Sequence, residues 1–359
     1  MNVTNPQTKL LTPGPVPVPE FVMNAIYQAV IPHRSAAFEA FYGEMLNRLA
    51  YLFMTNQRVC SMIGSGTYGV EAAMYSLFQK GETVLVVDMG KFSERWADYG
   101  ELLGLEVIRL TKEWGDSAEV SEIMTLAAQC EDLRGIVLTH SETSSAAMLD
   151  LEEVSWAIKQ QFPQTLILVD AITSVGCMPF YFDKWQIDCA VVASQKALMN
   201  PAGLVAFAIS EQAYKRMQDT HASDSRNLLN YLHFAQRNNY PYTPPVQLLY
   251  GVDAALKYVE TERLPTLWNR CHHAAQTFRT GLKSLGGQLI AASPSESLSA
   301  FAFPDQDMTV LKTRLEEEYA IQVSGGQAHL AGTILRVSHM GMADAGEMDN
   351  VLKALASLL

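Results

Sequence analysis

Residues 188–207 read DCAVVASQKALMNPAGLVAF, a stretch with one lysine, Lys196, between two runs apolar enough to form buried strands. Ser194 and Gln195 precede the lysine, and Pro201 and Gly203 follow it. Two readings compete. A turn lysine can lay its methylenes on apolar surface while its head reaches water. Alternatively, a lysine held among apolar groups is the residue type used for imine chemistry with carbonyl compounds. The stretch alone favours the turn lysine, and its surroundings must decide.

Outward from Lys196 the chain alternates short apolar runs with helical patterns. TVLVVD (83–88), LEVIRL (105–110), GIVLTH (135–140), TLILVDA (165–171), DCAVVAS (188–194) and GLVAFAIS (203–210) read as strands. VEAAMYSLFQ (70–79) and LEEVSWAIKQQ (151–161) read as helices between them. Continuously apolar strands separated by helices predict an α/β fold, with a mostly parallel sheet covered on both faces. Before this region, the proline-rich LTPGPVPVPE (11–20) is extended, and Phe38, Phe41, Tyr42, Met45, Leu49 and Leu52 recur at helical spacing. From residue 252 a long helical stretch leads to the short strands SAFAFP and TILRVSHM and a closing amphipathic helix, GEMDNVLKALASLL. The expected division is an arm over 1–14, a large domain over 15–251 and a smaller α+β domain over 252–359.

The chain has 359 residues and a formal net charge of −12, from 26 Lys plus Arg against 38 Asp plus Glu. That balance argues against nucleic acid or an anionic membrane as the main partner, so an anionic ligand needs a local site. Cys60, Cys130, Cys177, Cys189 and Cys271 are widely spaced without a C-x-x-C, which predicts buried thiols, no metal site and a reducing compartment. Without a signal-like start or a bilayer-length apolar run, the expected location is cytoplasmic.

Several residues have the types and places that chemistry requires. Ser65, Gly66 and Thr67 precede the 70–79 helix, where free N–H groups and the helix dipole favour a phosphate; a plain capped turn is the competing reading. Asp170 closes a buried strand at the end where open α/β sheets bind ligands, or it caps the small-residue run that follows. Ser141, Thr143, Ser144 and Ser145, with His140 and Glu142, form either a polar cradle or a solvated loop. Phe92 follows the 83–88 strand as a stacking platform or as simple packing. Arg336, inside an apolar strand, needs an anion: a ligand carboxylate or a protein one. Arg34 either reaches a second acidic group of a substrate or lies at a surface helix start. Together, a lysine, an acid, a phosphate cradle, an aromatic and an arginine are what a pyridoxal phosphate enzyme requires.

In family order, LLTPGP, GSGTYGVEA, HSETSS, VDAITSVGCMP, SQKALMNPAGL, YPYTPPVQLLYGVDAAL and GGQAHLAGTILRVSHMG resemble the class V, fold-type I aminotransferases, particularly alanine–glyoxylate and serine–pyruvate aminotransferases. The resemblance implies a seven-stranded large domain and a pyridoxal 5'-phosphate cofactor. It also implies transfer of an amino group from an alanine- or serine-type donor to a 2-oxo acid such as glyoxylate or pyruvate. Lys196 would carry the cofactor as an imine, and Asp170 would pair with the ring nitrogen. Ser65, Gly66, Thr67 and Gln195 would surround the phosphate, with Phe92, Thr143 and Ile172 at the ring. Tyr240 and Thr243 would reach the phosphate from the other subunit of a homodimer. Arg336 would take the substrate carboxylate; Gly14 and, if its PHRSAAF loop borders the site, Arg34 are further candidates there. NPAG (200–203) and Ala146 depart from the family's usual glycine-richer loops. The competing functions are a 2-aminoethylphosphonate–pyruvate transaminase, a lyase or desulfurase on the same fold, and a noncatalytic ligand-binding homologue. No cysteine occurs in VSGGQAHLAG to serve a desulfurase.

Overall fold

The computed structural model describes residues 8–220 and 224–359. Residues 1–7 of the expected arm therefore lie outside the described residues. Its remainder docks on the C-terminal part of the chain: Lys9–Leu10 pairs in parallel with Ile321–Gln322.

The central sheet contains β1 (Arg58–Gly64), β2 (Thr83–Asp88), β3 (Glu106–Thr111), β4 (Leu133–Thr139), β5 (Leu166–Asp170), β6 (Cys189–Ala193) and β7 (Gly203–Ile209). Their spatial order is β1-β7-β6-β5-β4-β2-β3. β7 runs antiparallel to both neighbours, while the other adjacent strands pair in parallel. The reason is the length of the 194–202 connection. A parallel return needs a crossover of a dozen or more residues, so this short turn reverses the chain and holds Lys196 at its bend. Every residue of β5 and β6 is buried. Each Val, Leu or Ile side chain so removed from water contributes about 1.5–3 kcal/mol. A charge placed among them would cost more than that, so Asp170 and Lys196 stand at a strand end and in a turn.

Helices α1 (Ala36–Phe53), α2 (Gly66–Leu77), α3 (Lys91–Leu102) and α4 (Leu151–Gln161) belong to this layer. A side chain at Gly69 of α2 would put Cβ 2.9 Å from Val191 and 3.1 Å from Val205. Its absence lets the helix lie directly on β6 and β7, which positions the start of α2 at the mouth of the sheet. The strand β1 was not legible as a strand, because RVCSMIG lacks both alternation and a long apolar run.

The second, antiparallel sheet contains β8 (Gln288–Leu289), β9 (Leu298–Ala302), β10 (Ser324–Gly325) and β11 (Leu335–Ser338) in the order β8-β9-β11-β10. The expected boundary at 251/252 falls inside α5 (Val246–Glu262), and Val252, Ala255, Leu256 and Val259 pack in the first core. The transition occurs along α6 (Leu264–Ser284): Leu264, Leu267 and Trp268 join the first core, whereas Ala274, Phe278 and Leu282 join the second. A continuous helix hides such a change from a reading based on periodicity.

Candidate active site

The candidate groups gather at the carboxyl ends of the parallel strands, where the open edges of an α/β sheet leave a crevice. β1 leads into α2, β2 into α3, β4 into the 140–148 loop, and β5 ends on Asp170.

Lys196 is buried, and its Nζ donates to the Pro13 carbonyl. Gly14 has φ +104°, and a Cβ there would overlap the lysine side chain; only glycine fits both demands. Burial pulls the Lys196 ammonium down to about 8, against the opposing attraction of Asp170, while Arg336 lowers it further. Asp170 moves the other way, up to about 7. Burial is the largest cause; its Oδ1 accepts from the Ile172 N–H at 3.0 Å, which opposes the rise, and the charge of Glu142 adds to it. Two oppositely charged groups thus have their affinities for the proton drawn toward neutrality, a feature that concentrates at functional sites.

Arg336 is buried on β11, with Nε donating to the Gly325 carbonyl at 3.0 Å and Nη1 to the Thr143 carbonyl at 2.9 Å. Among the described residues neither Arg336 nor Lys196 makes an ion pair. The expected alternative, a salt bridge to a protein carboxylate, is therefore not what holds Arg336. Desolvation lowers its guanidinium to about 10, with Glu142 opposing. A buried cation bonded only to carbonyls remains able to take a carboxylate.

The 140–146 run is buried throughout, which removes the solvated-loop reading. Thr143 Oγ1 donates to Thr173 Oγ1 at 3.2 Å, and that hydroxyl donates to the Ser141 carbonyl at 2.8 Å. Ser65 caps α2, its Oγ accepting from the Tyr68 N–H. Gly66 lies against Ile172 and Ala193. Thr67 Oγ1 accepts from Arg95 Nη1 at 2.8 Å, and the Arg95 guanidinium sits 5.4 Å from the centroid of the Phe92 ring. Phe92 itself stands in the first turn of α3. The Gln195 Oε1 is buried without a hydrogen-bond partner. NPAG keeps the lysine turn closed: Ser194 Oγ donates to the Pro201 carbonyl at 2.7 Å, and Asn200 Nδ2 donates to the Leu248 carbonyl at 3.0 Å.

Two expectations are corrected. Tyr240 cannot extend into another subunit, because it is fully buried in its own chain between Tyr42 and Tyr231, at centroid distances of 5.7 and 5.6 Å. These two rings hold the side chain inside, although its hydroxyl finds no hydrogen-bond partner there among the described residues. Arg34 is not free for a substrate: its Nη1 donates to Asn239 Oδ1 and the Tyr240 carbonyl, and its Nη2 to the Pro241 carbonyl. It holds the 239–241 turn. Thr243, two residues beyond, is exposed and lines a separate cavity of about 550 Å³ with Ile31, His33 and Pro244.

One group, Arg95, goes unnamed in the sequence reading, and a second, Glu142, is named without its role. Arg95 lies three residues beyond Phe92, hence on the same side of α3, and that spacing was the available signal. Glu142 is named there only as a member of the polar run; that it also binds Phe92 and Ser93, some fifty positions away, had no signal in the sequence. Among the described residues no group of three or more His, Cys, Asp or Glu could hold a metal ion, and no helix is long and apolar enough to cross a membrane.

The residues fit a phosphorylated, carbonyl-bearing cofactor. A lysine lowered toward neutrality, a buried acid and a buried arginine without an ion pair each lack the partner that such a group and its substrate supply, and the buried Gln195 Oε1 has no protein donor among the described residues.

Comparison with known proteins agrees over the whole chain. The family model "Aminotransferase class-V" matches residues 22–350. The soluble hydrogenase 42 kDa subunit of Anabaena cylindrica is 32% identical, the match covering 97% of this chain and 91% of that protein. The L-aspartate–glyoxylate aminotransferase of Paracoccus denitrificans is 30% identical, over 97% of this chain and 90% of its own length. The crystal structure of an alanine–glyoxylate aminotransferase from Nostoc sp. superposes with a TM-score of 0.93 at 28% identity, covering 100% of this chain and 97% of that one.

Proposed function

The chain belongs to the class-V aminotransferase family, and from that premise we propose that it moves an amino group from a small amino acid of the alanine or serine type to glyoxylate or pyruvate, with pyridoxal 5'-phosphate as cofactor. The observation that carries this reading is the Lys196–Asp170–Arg336 set: three buried ionisable groups, the lysine acted on by the charges of the other two, with no ion pair to any of them among the described residues. The glyoxylate-specific names of the Paracoccus and Nostoc relatives support the acceptor.

Pyridoxal phosphate, when bound, supplies an electrophilic carbonyl carbon and a ring that accepts electrons. Lys196, lowered to about 8, releases its proton far more readily near physiological pH than an ordinary lysine does. It would hold the cofactor covalently, and its amine is the group that would take the proton from the substrate's α-carbon. Asp170 keeps one carboxylate oxygen on the Ile172 N–H, leaving the other for the ring N–H. A cation there stabilises the carboxylate whose ionisation burial opposes. Ser65, Gly66, Thr67 and Gln195 take the phosphate. Phe92 and Ile172 would confine the ring, and the Thr143 hydroxyl would serve its hydroxyl oxygen. Arg336 takes the substrate carboxylate, and Gly14 keeps the space beside Lys196 clear. We further assign Thr243 a contact across a homodimer, a cytoplasmic location, and two domains joined along α6.

The competing desulfurase needs a mobile nucleophilic thiol, but Cys271 is buried within α6, its Sγ donating to the His339 carbonyl. The test is a half-reaction: alanine or serine added to the cofactor-loaded protein should shift its visible absorbance, and glyoxylate should restore it. An unchanged spectrum with every small amino acid would contradict the assignment, and release of sulfide from cysteine would replace it.

A further inference from the structure

The carboxylate of Glu142 has 0% exposure and, among the described residues, makes no ion pair; backbone and hydroxyl donors of Phe92, Ser93 and Ser144 surround it instead. Helix α3 begins after Gly90, which has no side chain to cap it. Glu142 supplies the cap from a loop fifty residues away. Its Oε2 accepts from the Phe92 N–H at 3.2 Å, the Ser93 N–H at 3.0 Å and the Ser93 hydroxyl at 3.0 Å. Its Oε1 accepts from the Ser144 N–H at 3.0 Å and the Ser144 hydroxyl at 2.6 Å. Ser144 Oγ in turn accepts from the Lys91 N–H at 3.0 Å. Any side chain at Gly90 would collide with the Glu142 methylene, so the approach is as close as the backbone allows.

This one carboxylate therefore joins the two halves of the site. On one side lies the first turn of α3, carrying Phe92. On the other lies Thr143, whose hydroxyl meets Thr173 and whose carbonyl accepts from Arg336. The helix N-terminal dipole and five donors compensate the charge without a cation. We propose that Glu142 is a positioning residue that fixes the distance between the aromatic platform and the Thr143–Arg336 wall, and so the slot into which the cofactor ring fits. The proposal rests on the cofactor reading given above.

Glu142→Gln is nearly isosteric, but its amide turns donors toward either α3 or Ser144, and one half of the network is lost. Three measurements test it: titration of the cofactor into apoprotein, induced circular dichroism of the bound cofactor, and hydrogen exchange of residues 90–96 in the apoprotein. The expected result is a fall in cofactor affinity of about tenfold or more, a reduced dichroic band at unchanged absorbance, and faster exchange at Phe92 and Ser93. Ser144→Ala, which removes only a small hydroxyl, should shift all three in the same direction by less; it decides the matter if Glu142→Gln does not fold. Affinity within twofold of wild type together with an unaltered dichroic band overturns the proposal. A wild-type protein that binds no cofactor instead overturns the functional reading, while the exchange measurement still decides whether Glu142 clamps α3.

Discussion

Replacing Asp170 by Asn should stabilise the apoprotein while abolishing most of its activity, and the pH dependence of the gain follows from the site. The carboxyl rises from its ordinary 3.8 to about 7, chiefly through burial. At 1.36 kcal/mol per pH unit this is about 4 kcal/mol of cost for keeping the group ionised. Because the folded-state value is raised, the cost is absent below pH 4, grows between pH 4 and 7, and is complete above 7. Asn retains the Oδ1 that accepts from the Ile172 N–H, so little else is lost. With an unfolding entropy of about 2.1 cal/mol/K per residue, the full cost corresponds to a melting temperature higher by about 5 °C in the variant. Thermal melts of cofactor-free wild type and Asp170→Asn across pH 4–8 provide the assay. The curves should converge at the acid end and separate toward pH 8, and added pyridoxal phosphate should stabilise the wild type more than the variant. A difference that does not change with pH would refute the argument that a destabilising carboxylate is retained for its chemistry.

Arg336→Gln should lower kcat/KM for alanine or serine by roughly a hundredfold, since a buried charge-assisted pair is lost. An amine donor without a carboxylate should be used equally by variant and wild type; equal losses for both donors contradict the carboxylate role. Ala146 has φ 66°, a conformation costing an L-residue about 1–2 kcal/mol. Ala146→Gly is therefore expected to leave the melting temperature unchanged or raised, and a clear fall would show that the methyl group's packing outweighs strain. Arg34→Ala should destabilise the protein while leaving the ranking of amino donors intact, because its guanidinium holds backbone carbonyls; a changed donor ranking would return it to the substrate site.

The legible part of this site consists of groups whose type clashes with their surroundings. Lys196, Asp170 and Arg336 are charges at or within apolar strands, and strands buried on both faces leave runs in which a charge stands out. The start of α2 was legible because small residues before a helix have a direct backbone meaning. Tyr240 is placed by resemblance and Arg34 by its loop, but their side chains follow local energetics: the tyrosine turns inward to two rings, and the arginine finds carbonyls within reach. Glu142 shows the deeper limit. Its function lies in capping a helix remote in sequence, and nothing within HSETSS reports which helix that will be. The domain boundary failed for a similar reason, since one uninterrupted helix serves two cores.

Lys196 is the residue on which the proposed chemistry turns, and reductive trapping addresses it most directly. The protein is incubated with pyridoxal phosphate, reduced with borohydride, digested and analysed by peptide mass spectrometry. The cofactor mass is predicted on the peptide containing Lys196 and absent after Lys196→Ala, although that variant should still bind the cofactor noncovalently. Labelling on another lysine, or labelling that persists in Lys196→Ala, would contradict the central assignment.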